Sequence, residues 1–492
     1  MRFLYFDIDT LRADHLGCYG YHRNTSPNID RIAEEGMRFD NCYASDTPCL
    51  PSRSSLFSGR FGIHTGVINH GGINADMRVE GGSRGFVQNP DLWHWPMVFK
   101  QNGYHTVSVS PFAERHSAWW FYNGFKEMYN PGRCGHEIAD EVLVYAEKWL
   151  KENGMKDKWF LHINVWDPHT PYRVPEEYGN PFKDEPVGSW HTRELLEKNY
   201  RSYGPHSPQD LGGFDYAEGA DRLARVVKEI KTMEDYKKWI DGYDVGIRYA
   251  DEALGRVLRI LEEDGVLEET VIIISSDHGE SQGELNVYGD HQTADNMVNR
   301  VPFILRWPGL LKGGSVNKGL YYQVDLGASI LEIGGMGVPR GWDGRSYAEN
   351  IRKGISKGRE YLVISHCAWS CQRSVVYDGW LLIRTYDTGL KAYPEIMLFN
   401  IEEDPHLLRD VAKERDDVVN KGIRLLEEWH SEMMRKEPVE KDPLWEVIRE
   451  GGPFHTRSNI EKYIRRLEAT GRKEGAEILR KYKGKPVTRF AC

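Results

Sequence analysis

Residues 270–280, TVIIISSDHGE, begin as a run of β-branched apolar residues and continue into the dipeptide Asp-His. Such a run predicts a strand that is buried on both faces, as in a parallel sheet covered by helices. Residues 2–9, RFLYFDID, have the same character and end in two acids, Asp7 and Asp9. Functional sites of parallel sheets lie beyond the carboxyl ends of the strands. We therefore expect the ionisable side chains of both segments to meet at one site.

Strand-like and helix-like segments alternate on either side of these two stretches. Strands are predicted at 104–110, 159–166 and 301–309, and helices at 26–36, 136–154 and 236–265. This alternation predicts an α/β fold for residues 1–350, with a mostly parallel central sheet between helices. Residues 173–235 are rich in Pro, Gly and charge, and we interpret them as an insertion of loops and short helices.

The pattern changes after about residue 350. Short strand-like runs with tight turns, followed by a helical segment at 418–436, predict a smaller C-terminal α+β domain over 351–455, with an antiparallel sheet and a packed helix. The remaining segment, 456–492, is a basic helical tail. We expect the tail to be solvated or to pack on another subunit, which is compatible with a homo-oligomer.

Composition and charge exclude several classes of partner. The chain has 492 residues, a formal net charge of -10 and 40% hydrophobic residues, so neither nucleic acid nor a membrane surface is an expected partner. Its seven cysteines are an odd number without metal-site spacing and suggest reduced thiols. The start of the chain is an acidic strand rather than an apolar leader, and no apolar run reaches the length of a membrane span, so we predict a cytoplasmic protein.

The sharpest motif is TPCLPSRSSLFSGR at residues 47–60. It places Cys49 and Arg53 at the head of a predicted helix, where free backbone N–H groups and the helix dipole favour anions. A cysteine in this position would be activated as a thiolate. The alternative is a rigid proline turn with a buried cysteine, and CxP alone would favour that reading.

The complete string resembles the sulfatase signature C-x-P-S-R, followed by a small residue, Gly and Arg, with Ser58 where Thr is commoner. Four further segments resemble that family: 8–44, 275–280, 299–309 and 398–412. The resemblance thus covers both domains and implies an alkaline-phosphatase-like fold. It implies a sulfuric ester hydrolase that converts an organic sulfate monoester into an alcohol and inorganic sulfate.

The resemblance also implies how Cys49 acts. In the family this cysteine is oxidised by a maturation enzyme to formylglycine, and the hydrated aldehyde is the nucleophile. A thiolate that attacked sulfur would be trapped as a thiosulfonate. A geminal diol instead forms a sulfated hemiacetal, whose second hydroxyl can expel sulfate. A divalent metal polarises the sulfate oxygens.

For the metal ligands, the resemblance points to Asp9, Asp277, His278 and residue 49. Asp7 is the alternative ligand, because strand periodicity places it on the same face as Asp9. Ca²⁺ is the usual ion of the family. His278 stands where many members have Asn, and imidazole also suits Mn²⁺ or Zn²⁺.

The same resemblance suggests five sulfate-binding or proton-transfer residues. His169, in DPHTPY, matches a histidine that contacts the ester and can protonate the leaving oxygen. His291 falls where many members have a sulfate-binding Lys. The Lys-x-His of the family is absent, and Arg115 and His116 are the nearest substitutes. His64 is a further candidate near the nucleophile, and surface or turn roles are the alternative for these side chains.

Two other functions remain open. A phosphonate monoesterase or phosphodiesterase of the same superfamily shares the Asp-His segment and the single N-terminal Asp, but tends to have Pro-Ala-Arg where this chain has Pro-Ser-Arg. A sulfoglycan-binding pseudoenzyme is disfavoured, since the nucleophile, acids and anion-binding groups occur together. The substrate could be a sulfated carbohydrate, steroid or aryl group. The candidates for lining its site, or for packing in the core, are Trp119, Trp120, Trp166 and Trp369.

Overall fold

The computed structural model describes residues 1–78, 89–213, 223–436 and 441–484. Parts of the predicted insertion (214–222) and of the predicted tail (485–492) lie outside the described residues. The strands are β1 Arg2–Ile8, β2 Met37–Tyr43, β3 Asp46–Thr47, β4 His105–Val109, β5 Glu127–Tyr129, β6 Trp159–Val165, β7 Thr270–Ser275, β8 Ser281–Gln282, β9 Tyr288–Asp290, β10 Arg300–Arg306, β11 Ser315–Tyr322, β12 Tyr361–His366, β13 Cys371–Tyr377, β14 Trp380–Asp387 and β15 Ile396–Asn400.

The α-helices follow the same chain order. They are α1 Pro27–Glu35, α2 Cys49–Ser58, α3 Gly62–Thr65, α4 Trp95–Gln101, α5 Phe112–Arg115, α6 Ala139–Asn153, α7 Arg193–Arg201, α8 Met233–Glu263, α9 Asn296–Asn299, α10 Gln323–Ile333, α11 Ala348–Arg352, α12 Asp416–Lys436, α13 Pro443–Arg449, α14 Ile460–Ala469 and α15 Lys473–Gly484.

An eight-stranded sheet forms the centre of the molecule, in the order β11-β2-β10-β7-β1-β6-β4-β5. Strand β1 runs parallel to both of its neighbours, β6 and β7, whereas β10 is antiparallel to β7 and β2. The predicted mostly parallel sheet is therefore confirmed. Because β1, β6 and β7 point the same way, the acids that follow β1 and β7 meet at one edge.

Helices cover both faces of this sheet, as the alternation of side chains along β1 demonstrates. Leu4, Phe6 and Ile8 pack with α1, α6 and α8 in one core. Phe3 and Tyr5 point the other way and pack with α2, α4 and α10. Successive strand residues face opposite sides, so Asp7 and Asp9 follow Phe3 and Tyr5 towards α2. Sequence periodicity thus brings the N-terminal acids to the helix that begins at Cys49.

A second, five-stranded sheet has the order β15-β14-β13-β12-β3. Strands β12 to β15 pair antiparallel, as predicted, and α12 packs on them. The two-residue strand β3 adds a parallel edge from the N-terminal part of the chain, since Asp46 pairs with Ser365 and Thr47 with His366. This strand directly precedes Cys49, so the nucleophile candidate sits where the two sheets meet.

The described part of the tail packs on its own chain. Apolar side chains of α14 and α15 share a small core with Tyr203 of the insertion and Leu390 of the C-terminal domain. Beside it, the fully buried Asp210 accepts hydrogen bonds from Tyr463 Oη (2.8 Å) and from both terminal nitrogens of Arg472 (2.6 and 3.0 Å). Tail and insertion are thereby joined.

We expect the Asp210→Ala substitution to lower the free energy of unfolding by about 3–5 kcal/mol, because it leaves the buried Arg472 guanidinium without its carboxylate. Urea unfolding followed by circular dichroism measures this change. Asp184→Ala is the matched control, since the Asp184 side chain is 87% exposed, and it should cost less than about 0.5 kcal/mol. Equal stabilities of the two variants would refute a structural role for the buried pair.

Candidate functional site

Cys49 is the first residue of α2, and every residue of this helix is buried. Two further residues of the motif, Ser52 and Arg53, connect this helix to the acids at the strand ends. Ser52 Oγ donates to the carbonyl oxygen of Asp277 (2.7 Å), and Arg53 lies one turn from Cys49 on the same helix face. The Ser and Arg of the motif therefore hold the N-terminus of α2 against the end of β7.

Three buried carboxylates surround the Arg53 guanidinium. Its Nε donates to Asp7 (2.8 Å), and its Nη1 lies 2.9 Å from Asp9 and 2.5 Å from Asp277. His162 Nε2 is a further neighbour of Asp7, at 3.3 Å. Burial acts against ionisation of Asp7, but Arg53 and His162 together lower the pKa of that carboxyl. Asp7 is thus held by two basic side chains, and this is the role that the structure gives it.

Asp9, Cys49, Asp277 and His278 form a group whose ligand-type atoms all lie within 4.8 Å of one another. Burial and the neighbouring Asp277 raise the pKa of Asp9, and burial raises that of Asp277 despite Arg53. Asp9 Oδ1 is buried and has no hydrogen-bond partner among the described residues.

The charges of this group fit a divalent cation. If all three acids are ionised, they and the one guanidinium leave two negative charges uncompensated in a buried place; the raised pKa values of Asp9 and Asp277 reflect this cost, and a divalent cation would offset it. The Nδ1–H of His278 donates to the Gly279 carbonyl (2.8 Å), so Nε2 presents a lone pair to the group. The residues predicted to hold a metal therefore meet, with Asp7 outside their cluster.

The thiol of Cys49 is not activated as the sequence suggested. Burial, together with Asp9 and Asp277, raises the pKa of Cys49 well above its usual value. The Sγ atom lies 3.0 Å from His278 Nε2, and burial lowers the pKa of that imidazole to about 3. Burial and the two carboxylates thus favour the neutral thiol, so the prediction of a thiolate is wrong for the unmodified residue.

A second group, which also includes Cys49, contains His169 and His291, again with ligand-type atoms within 4.8 Å of one another; the centre of the His291 ring lies 4.2 Å from that of His278. The Nδ1–H of His169 donates to the Thr170 carbonyl, which leaves Nε2 available. The His291 Nδ1 is buried 3.4 Å from Asp290 Oδ1 and makes no hydrogen bond among the described residues. Burial and the neighbouring His291 lower the pKa of His169, and burial and His278 lower that of His291 to about 3.

A cavity of about 890 Å³ opens above this second group. Arg115 and His116 line it together with Cys49, His169 and His291, so the two substitutes suggested for the missing Lys-x-His are in place. His116 Nε2 is buried without a hydrogen-bond partner in the described part of the chain. Burial and Arg115 lower the pKa of His116.

His64 is not brought to this cavity. Its Nδ1 lies 2.6 Å from Asp343, and its Nε2 hydrogen-bonds the Met433 carbonyl (3.0 Å). Helix α2 has ten residues and spans about 15 Å, and His64 follows its far end. Both ring nitrogens of His64 are used in a contact between the two domains.

The cavity also contains residues that the sequence reasoning missed. His70 follows α3, and its Nδ1 lies 3.0 Å from Nε2 of His455, which precedes α14. His206 of the insertion pairs with Asp290 (2.7 Å) and contacts the Trp369 ring edge-on. Of the four tryptophans considered, Trp369 lines the cavity. No local pattern distinguishes these residues from surface histidines, because segments far apart in the chain bring them together.

Comparison with known proteins agrees with this geometry. The family model described as Sulfatase matches residues 3–336, which is well over half of the chain. The match includes α2 and the two strands, β1 and β7, that lead to the acids of the candidate metal site. The chain belongs to the sulfatase family. It is accordingly a sulfuric ester hydrolase with an alkaline-phosphatase-like fold.

Among its relatives in the sulfatase family, an N-acetylglucosamine-6-O-sulfatase of Bacteroides thetaiotaomicron is 24% identical, with 89% of this chain and 88% of the relative covered. The iduronate 2-sulfatase of Mus musculus is 27% identical over 61% of this chain and 58% of its own length. Both relatives bear the names of carbohydrate sulfatases.

Solved structures are similar in fold to this sulfatase. One, in complex with its substrate D-glucosamine-2-N,6-O-disulfate, has a TM-score of 0.70 and 19% identity and covers 89% of this chain and 99% of its own. A phosphonate monoester hydrolase from Silicibacter pomeroyi has a TM-score of 0.67 and 19% identity, covering 89% and 96%. In the described stretches of the sulfatase, no helix is long and apolar enough to cross a membrane.

Proposed function

We propose that the protein hydrolyses a sulfate monoester to an alcohol and inorganic sulfate, with formylglycine formed from Cys49 as nucleophile and a divalent metal at Asp9, Asp277, His278 and residue 49. The observation that carries this proposal is that Cys49 belongs to both groups described above. Cys49 thus shares one group with acids suited to a cation and the other with imidazoles suited to an oxyanion.

The residues of the chain have separate tasks in this proposal. Arg53 fixes the three acids, and His278 offers its Nε2 lone pair beside residue 49. His169 gives a proton to the leaving oxygen from Nε2, while its Nδ1–H keeps the ring oriented on Thr170. Because an anion nearby favours an imidazolium, a bound sulfate ester raises the pKa of His169 towards the range needed for this step.

His291, His116 and Arg115 bind the sulfate oxygens. Nε2 of His116 is buried without a hydrogen-bond partner in the described residues, and donation to an oxyanion would satisfy this atom. A formylglycine hydrate supplies a nucleophile that can release the sulfate afterwards, and the metal supplies polarisation of the sulfate oxygens. The ligand set of carboxylates and imidazole suits Ca²⁺, as in the family, and also Mn²⁺.

The substrate class that we propose is a sulfated carbohydrate. Two relatives are named for sulfated sugars, and one similar structure contains a glucosamine disulfate. The cavity, at about 890 Å³, is large enough for a sugar, and imidazole and guanidinium groups lie among apolar and aromatic side chains in its lining. A formylglycine-forming maturation enzyme is the implied protein partner.

The modification of Cys49 can be tested by mass spectrometry of the tryptic peptide 39–53, FDNCYASDTPCLPSR, after co-expression with a maturation enzyme. We expect Cys49 as formylglycine and Cys42 as an alkylated thiol. Cys42 is an internal control, because it is buried on β2 outside the motif. Two alkylated cysteines in every copy would contradict the proposed nucleophile.

Hydrolysis of a phosphonate monoester or phosphodiester is the second candidate, favoured by His278 and by the similar phosphonate monoester hydrolase structure. The Pro-Ser-Arg sequence at residues 51–53 supports the sulfate ester, since the phosphonate branch tends to have Pro-Ala-Arg. Sulfated sugars, steroid sulfates and aryl sulfates should be assayed beside a phosphodiester and a phosphonate monoester. A higher kcat/KM for either phosphorus compound would establish the second candidate.

A further inference from the structure

One wall of the cavity carries basic side chains, and of these the proposed chemistry uses only Arg115. Arg133 and His136 belong to the turn after β5, and Arg173 follows the segment that contains His169. Arg173 Nη2 lies 3.0 Å from His136 Nδ1 and donates to it. We call Arg115, Arg133, His136 and Arg173 the basic wall.

The basic wall is a built feature rather than a set of independent surface residues. Arg115 Nη1 donates to the Cys134 carbonyl (3.1 Å), and its guanidinium lies 5.4 Å from the centre of the Trp166 ring. Gly135 has a φ of +79°, and a Cβ there would lie 2.3 Å from Arg115 Cδ. A glycine at this position therefore allows the turn to pack closely on Arg115.

Two of these arginines lack a counter-ion. Within the described ranges, no carboxylate lies within 4.0 Å of a nitrogen of Arg173 or Arg115, whereas Arg133 is paired with Glu141. Asp167 and Glu137 act on Arg173 from a greater distance, and each accepts a hydrogen bond from a backbone N–H, Asp167 from Ala139 (2.8 Å) and Glu137 from Arg133 (2.6 Å). Burial lowers the pKa of Arg173 to about 10, still far above neutrality. Two cations thus face one cavity of a chain whose formal net charge is -10.

The position of Arg173 separates it from the sulfate-binding group. It is four residues beyond His169 along the chain and is tied to His136, an exposed residue at the cavity mouth. His169, by contrast, lies with Cys49 and His291 within 4.8 Å at the bottom of the cavity. Cys49, His169 and Arg173 line the same cavity, so a substrate whose ester sulfur is at Cys49 can extend through it to Arg173.

We propose that Arg173, supported by His136 and Arg115, binds a second oxyanion of the substrate, so that the preferred substrate is a sulfate ester with a further carboxylate or sulfate on the same sugar. A guanidinium suits both groups, since its planar N–H donors match their paired oxygens. This inference rests on the proposed function, because it assumes that the ester sulfate lies at Cys49.

Isothermal titration of metal-loaded Cys49→Ala protein tests the inference without turnover. The ligands are two matched pairs, glucosamine 2-N,6-O-disulfate with N-acetylglucosamine 6-O-sulfate, and a uronic acid 2-sulfate with its methyl ester. We expect the dianionic member of at least one pair to bind about tenfold more tightly. Equal affinities within both pairs, or no binding of any ligand, would overturn the second oxyanion site. A preference in one pair only identifies the oxyanion as sulfate or carboxylate.

Substitution of Arg173 distinguishes a binding site from general attraction of anions. In the same background, Arg173→Met should weaken the preferred dianion about tenfold more than its monoanionic partner, and Arg173→Lys should restore part of that difference. Arg193→Met is the control, since this arginine on α7 is exposed and outside the cavity, and it should change neither affinity. An equal loss for both members of a pair would mean electrostatic steering and would refute the proposal.

The two proposals fail in different ways. If the wild-type protein with formylglycine at residue 49 hydrolyses no sulfate ester, the proposed function is wrong, whatever the titrations give. If it hydrolyses sulfate esters but the Cys49→Ala protein binds the two members of each pair equally, only the second oxyanion site is wrong.

Discussion

The Cys49→Ala substitution is expected to abolish sulfate release, with a loss in kcat of at least about 10,000-fold, while the metal stays bound. Removing a covalent nucleophile has effects of this size in enzymes. Metal should remain because Asp9, Asp277 and His278 still surround the position. The measurements are sulfate release from the best substrate of the screen and metal content by mass spectrometry of the same sample.

Cys18→Ala is the matched control for this variant. Cys18 is partly buried near α1 and outside the cavity, so its substitution should leave turnover within about twofold of wild type. Turnover that persists in Cys49→Ala protein would point instead to attack by a metal-activated water. In that case the formylglycine at residue 49 would be unnecessary for the reaction.

The Asp277→Asn substitution is expected to weaken metal binding by more than about 100-fold and to remove activity in metal-limited buffer. Asp277 contributes one of the two carboxylates among the four candidate metal ligands. Mutation of residues that only support metal ligands already lowers metal affinity by about 10–100-fold. Metal affinity should be measured by titration of the apoprotein with Ca²⁺ and with Mn²⁺. The ion that binds with the higher affinity is the one that suits a ligand set containing His278.

Asp7→Asn is the informative comparison for this experiment. Asp7 is equally buried and equally bound to Arg53, but it lies outside the group of four. It should therefore lose stability through its contacts with Arg53 and His162 while retaining metal within about tenfold. If Asp7→Asn loses metal as completely as Asp277→Asn, Asp7 is a ligand and the proposed ligand set is wrong.

Much of the fold could be predicted from sequence because its signals are local. The strand-like runs at 2–9 and 270–280 and the helices at 136–154 and 236–265 correspond to β1, β7, α6 and α8 within a few residues at most boundaries. Apolar periodicity fixes such elements when both faces of a sheet are covered. The parallel pairing of β3 with β12 had no such signal, since a two-residue strand is defined only by its distant partner.

The site was predictable to the same extent. The candidates Asp9, Cys49, Asp277 and His278 meet, and His169 and His291 lie beside them. His64 was misleading, because closeness in sequence to α2 does not say which end of the helix a side chain approaches. The elevated pKa of Cys49 also depended on tertiary contacts, since the two acids that raise it come from other strands.

The sequence by itself determined the sulfatase class, the motif at Cys49 and the acids at the ends of β1 and β7. These features follow from short-range geometry: residues four apart share a helix face, residues two apart share a strand face, and parallel strands end at one edge. Only the tertiary structure decided that Asp7 faces Arg53 and His162, and that His70, His206, His455 and Arg173 enclose one cavity. Those contacts join residues up to several hundred positions apart, and packing of the two sheets, the insertion and the tail is what brings them together.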